Sequence, residues 1–182
     1  MAEPMARGIS WRTVAWGAAT AVLLMPLAAM QFTDEVAWGP ADFVLAGVLM
    51  GGVGLTFELA ARRHLGNAYR AAVAVALETA FVLIWANLAV GFIGSEDNPA
   101  NLMFAGVLAV GLVGTALARA RPRGMARAMV GTAVAQALAA PVALLGGSAE
   151  PISPPDILIA TTVFTALWLL SAWLFRKAAQ QA

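Results

Sequence analysis

A pattern of twenty-three residues, opening on proline and closing on arginine, occurs three times without a gap: Pro40 to Arg62, Pro99 to Arg121 and Pro154 to Arg176. The residue before each proline is Gly39, Asn98 or Ser153, and two residues after it comes Asp42, Asn101 or Asp156. Small residues recur seven positions on (Gly47, Gly106, Thr161) and twelve on (Gly52, Gly111, Ala166). Gly, Asn and Ser suit an N-cap, and proline suits the first helical position. An acidic or amide oxygen in the first turn meets the unsatisfied amides and the positive dipole end. The small residues let helix backbones approach closely in lipid. Gly47-x-x-x-Gly51 extends that surface, either within the chain or as a dimer face.

The segments between these elements repeat as well. From Arg12, Arg70 and Arg127, six residues lead to Ala18, Ala76 and Ala133, and fourteen lead to Pro26, Ile84 and Pro141. Pro26 and Pro141 are expected to kink their helices. Of the 182 residues, 61% are hydrophobic and 12% charged, with mean hydropathy +0.80, which excludes both a soluble domain and a disordered chain. A span of the hydrocarbon core takes about 20 mostly apolar residues. Six stretches qualify: Trp11–Phe32, Pro40–Arg62, Tyr69–Ile93, Pro99–Arg119, Met125–Leu145 and Pro155–Phe175. The expected fold is one all-α membrane domain over 1–182. It consists of three tandem helical hairpins (about 11–63, 69–121 and 125–177) with pseudo-threefold symmetry about the membrane normal. The first span looks like a signal peptide, but its place in the repeat predicts that it is retained.

Charge orients the array. All eleven basic residues fall on one side if the spans alternate: Arg7 and Arg12; Arg62, Arg63 and Arg70; Arg119, Arg121, Arg123 and Arg127; Arg176 and Lys177. The other side carries Asp34, Glu35, Asp42, Glu96, Asp97, Glu150 and Asp156. The positive-inside bias predicts cytoplasmic termini. Short basic loops beside spans are a topology signal, so nucleic acid is not the expected partner. The bilayer is, together with either a second copy or another membrane subunit. A single lysine among eleven basic residues is in keeping with a GC-rich bacterial genome, and so with the inner membrane.

Repetition also isolates the residues that the fold does not need. Glu78 stands where the other copies have Thr20 and Ala135, eight residues beyond Arg70 and so about 12 Å into the span. A carboxylate at that depth costs about 3 kcal/mol on insertion scales and usually marks a pathway, a proton site or a charge partner, the equal alternative being a protonated or Arg-paired structural carboxyl facing the bundle interior. Glu58 replaces Leu117 and Ala172, but an i,i+4 pair with Arg62 accounts for it. Asn87 replaces Ala29 and Leu144, about half a helix rotation from Glu78. Gln136 replaces Ala21 and Thr79 at nearly the depth of Glu78, where it either bonds to that carboxyl or joins two helices. Asp34, Glu35, Glu96 and Asp97 are either a cation-collecting mouth or solvated caps. His64 is a lone loop histidine.

At Phe32-Thr33-Asp34-Glu35-Val36, at Gly94-Ser95-Glu96-Asp97-Asn98-Pro99-Ala100-Asn101 and at Arg121-Pro122-Arg123-Gly124-Met125-Ala126-Arg127, the chain resembles a group of small bacterial integral membrane proteins of no assigned activity. The likeness implies a bacterial inner-membrane protein and no functional residues.

With no cysteine, one histidine and no HExxH pair, the sequence implies no cofactor or metal, and nothing beside Glu58 or Glu78 resembles a nucleophile. Two readings lead. One is a small transporter or channel with Glu78 as a proton- or ion-linked site and Gln136 nearby. The other is a non-catalytic scaffold or accessory subunit whose polar residues stitch helices. An enzyme acting on a lipid-like substrate comes a distant third.

Overall fold

The computed structural model describes residues 11–34, 36–63, 65–89, 91–95, 98–146 and 153–181. Among these are six helices long and apolar enough to cross a membrane, as expected of a polytopic membrane protein. They are α1 (Trp11–Ala29), α2 (Pro40–Ala61), α3 (Gly66–Ala89), α4 (Leu102–Ala118, entered through the 3-10 turn Pro99–Asn101), α5 (Pro122–Leu145) and α6 (Pro154–Gln181). Both α1 and α5 continue through their internal prolines, Pro26 and Pro141. The chain divides into two compact units, Met1–Thr56 and Phe57–Ala182.

In the first unit, α1 meets α2 through long side chains laid on glycine. A Cβ at Gly54 would come within 2.7 Å of the Trp16 ring, and one at Gly47 would lie 3.8 Å from Leu23. Gly51 has open space around it, so the Gly47-x-x-x-Gly51 surface is only half used within the unit. The entry to α2 is a reciprocal cap, with the Gly39 amide donating to Asp42 Oδ2 at 2.8 Å. The first-turn acid therefore meets a free amide as the sequence predicts.

In the second unit, α5 packs between α4 and α6, and α6 packs between α5 and α3, while α3 and α4 touch far less. Three equivalent hairpins would pair α3 with α4 as closely as α5 with α6, and this unit does not. The reason lies in side-chain size. Gly111, Gly114 and Ala118 of α4 face Thr132, Ala128 and Gly124 of α5, and a Cβ at Gly114 would stand 2.8 Å from the Ala128 methyl. Such close approach is how lipid-embedded helices gain contact where no hydrophobic force separates protein from solvent. The third hairpin thus fits between α3 and α4 and holds each of them.

On the α3 side, Ser171 of α6 donates to the Ala72 carbonyl at 2.9 Å, and Tyr69 meets Phe175 edge-on with ring centroids 5.2 Å apart. Tyr69 Oη also donates to the Ala120 carbonyl at 3.3 Å. It thereby holds a turn in which Arg119 and Ala120 adopt left-handed backbone, φ 49° and 60°. At the other end Phe92 packs on Phe104 and Phe164, with centroids 5.0 and 5.5 Å away. The core between these ends includes Leu83, Met129, Ala133 and Trp168.

Candidate functional site

Tyr69, Ala72, Val73, Thr79 and Leu83 form the buried face of α3. At about 100° per residue, Glu78 stands nearly opposite that face. It is exposed, as are Ala71, Ala74 and Val82, its neighbours one or two turns away along the helix. Trp85, two turns on from Glu78, lies on this stripe and Phe81 at its edge, the two rings stacked with centroids 5.9 Å apart and planes 20° from parallel. No hydrogen bond or ion pair engages the Glu78 carboxyl among the described residues. A span-centred carboxyl therefore sits on a face of small and apolar side chains, turned away from the helices that pack this unit.

Gln136 lies in the opposite setting. It is 0% exposed on the packed face of α5, and among the described residues neither amide atom has a hydrogen-bond partner. The bond to Glu78 is not made. Trp168 Nε1 and Thr165 Oγ1, both on α6, are likewise buried without a partner. The sequence-predicted pair is thus separated, with the acid on the exposed face of α3 and the amide in the buried core.

Glu58 is 14% exposed, and its Oε2 lies 3.8 Å from an Arg62 guanidinium nitrogen, the expected i,i+4 arrangement. Asn87 reaches the other way, donating from Nδ2 to the Asn101 carbonyl at 3.5 Å. It joins a network centred on the buried Asn101. There Oδ1 accepts from the amides of Phe92 (3.1 Å) and Ile93 (3.0 Å), and Nδ2 donates to the carbonyls of Ser95 (2.8 Å) and Ile93 (3.4 Å). Asn98 performs the capping role predicted for it, accepting from the Ala100 amide at 3.0 Å. Asn101 instead ties the loop at 91–95 to the start of α4, and a Cβ at Gly91 (φ 72°) would collide with Ser95 and Asn101.

Of the outer acidic residues, Asp34 is exposed, while Glu35, Glu96 and Asp97 lie outside the described residues, as does His64. Among the described residues no three His, Cys, Asp or Glu side chains gather as a metal site would require. Sequence reasoning passes over Ser171, although a signal was present. The other two copies of the repeat hold Phe57 and Ala116 at that position, so its hydroxyl is another departure from the pattern.

No family model matches the chain, and neither a curated protein nor a solved structure matches it.

Proposed function

We propose that this is a multi-pass bacterial inner-membrane protein with both termini in the cytoplasm, acting as a non-catalytic accessory or scaffold subunit. In this reading it assembles laterally through the α3 face that carries Glu78. The observation that carries the proposal is Glu78 on the α3 face opposite Ala72 and Leu83, exposed and without a partner among the described residues. A carboxyl costs about 3 kcal/mol against hydrocarbon, so a neighbouring helix with a basic or hydrogen-bonding group is its favourable environment. Ala71 and Ala74 on the same face permit the close backbone approach such a contact needs. The transport reading instead asks Glu78 and Gln136 to share one path, and they occupy different faces with no bond between them.

A photo-reactive benzophenone side chain placed at Ala74 or at Val82 and irradiated in native membranes is expected to cross-link to one partner of defined mass. Glu78→Leu should abolish that product while the chain still accumulates. If neither position cross-links to any protein and the chain purifies alone with or without Glu78, the proposal is wrong. Proton flux in proteoliposomes that Glu78→Gln eliminates would install the transport reading in its place.

A further inference from the structure

Where α5 begins and α6 ends, the two helices frame an open groove of about 860 Å³. From α5 come Arg123 and Arg127, one turn apart, with Val130 a turn deeper; from α6 come Arg176 and Gln180, also one turn apart. Ala126 and Ala179 form its small, apolar floor. Among the described residues none of these three guanidiniums is paired with a carboxylate.

Two features make this more than a topology signal. Arg119 and Arg121 satisfy the same inside-positive bias without lining the groove, so that bias does not require three cations to converge. Arg123 also occupies the first turn of α5, which contains no acid. There the helix dipole and the unsatisfied amides repel a cation. Three like charges and a positive helix end around one concavity are mutually unfavourable until an anion enters.

We infer that this groove binds the phosphate of an anionic phospholipid, which lies against the arginines while its chains follow the apolar side of α5. Basic pockets between helices at the inner face hold such headgroups. Exposed Val130 and Val134 continue the α5 surface toward the span. On α6, Lys177 stands 5.6 Å from the ring centroid of exposed Trp173, an interfacial pairing at the level of Arg176. Gln180 adds a neutral donor for a second phosphate or glycerol oxygen.

The full chain in phosphatidylcholine nanodiscs, titrated with phosphatidylglycerol and followed by native mass spectrometry and thermal unfolding, tests this. Phosphatidylglycerol should be retained and raise the unfolding temperature, with binding weakened in high salt. Arg123→Gln, Arg127→Gln and Arg176→Gln should each weaken retention about fivefold, and the triple variant about a hundredfold. Arg119→Gln, outside the groove, should leave it unchanged. Retention that falls equally with Arg119→Gln, or that the triple variant leaves intact, overturns the proposal. Inorganic phosphate and soluble glycerophosphate provide the second arm. If either stabilises the protein as well as phosphatidylglycerol does, the ligand is a soluble phosphate and the lipid assignment falls.

Discussion

Ser171 Oγ donates to the carbonyl of Ala72 across 2.9 Å, joining α6 to α3 between residues ninety-nine positions apart. Both residues are 0% exposed. The Ala72 carbonyl already accepts within its own helix, so deleting the hydroxyl orphans no acceptor. Ser171→Ala should therefore cost only about 0.6 kcal/mol, the typical worth of an interhelical bond in lipid. Ser171→Leu adds three carbons where there is no room and should cost about 1–3 kcal/mol. SDS-driven unfolding in mixed micelles distinguishes the two. Equal losses would mean that packing at this position is loose.

Gly114 and Gly106 share α4 but make opposite predictions. A methyl at 114 would sit 2.8 Å from Ala128 Cβ and 3.2 Å from its Cα, so α4 and α5 must separate. At 106 there is nothing within 4 Å. Gly114→Ala should destabilise by about 1–3 kcal/mol through overpacking. Gly106→Ala should be neutral or stabilise by up to about 1 kcal/mol, because alanine loses less backbone entropy than glycine in a helix. Parallel unfolding curves for the two variants would contradict the α4–α5 contact described above.

Much of this architecture is legible in the chain because lipid leaves the sequence few options. Each span needs a continuous apolar run closed at both ends, and helix starts at Pro40, Pro99 and Pro154 coincide with the repeat. What periodicity cannot reveal is which way each helix faces. Helix α3 is apolar nearly all round, so nothing in its pattern marks Ala72 and Leu83 as inward and Glu78 as outward. Residue type alone is equally silent on role. Asp42 and Asn101 hold the same place in the repeat, yet one caps its own helix and the other gathers a loop. Helix order is also out of reach, since the insertion of α5 and α6 between α3 and α4 depends on contacts such as Gly114 with Ala128.

Asn101 should be the most sensitive polar residue of the second unit. Its side chain is 4% exposed and uses both amide atoms, so truncation leaves the Phe92 and Ile93 amides without their acceptor. Asn101→Ala is expected to cost about 2–4 kcal/mol, since each buried group left unsatisfied carries its own desolvation penalty. Hydrogen exchange localises the effect. The amides of 92 and 93 should exchange faster in the variant, while those in the middle of α5 stay protected. Unchanged protection at 92 and 93 would show that this loop is held by Phe92 packing rather than by Asn101.

Gln136 gives the opposite sign. Its amide is fully buried and neither atom is bonded among the described residues, so the native side chain bears a desolvation cost that no hydrogen bond from them offsets. Leucine fills a similar volume with no polar atoms, and Gln136→Leu should raise stability by about 1 kcal/mol in SDS titration. Gln136→Ala removes the same amide but leaves a void among Met129, Ala133 and Ala140, and should lose about 1–3 kcal/mol. The pair separates polarity from volume. If Gln136→Leu instead destabilises the protein in native membranes, the amide has a hydrogen-bond partner there, for which the buried Thr165 hydroxyl and Trp168 indole of α6 are the first candidates.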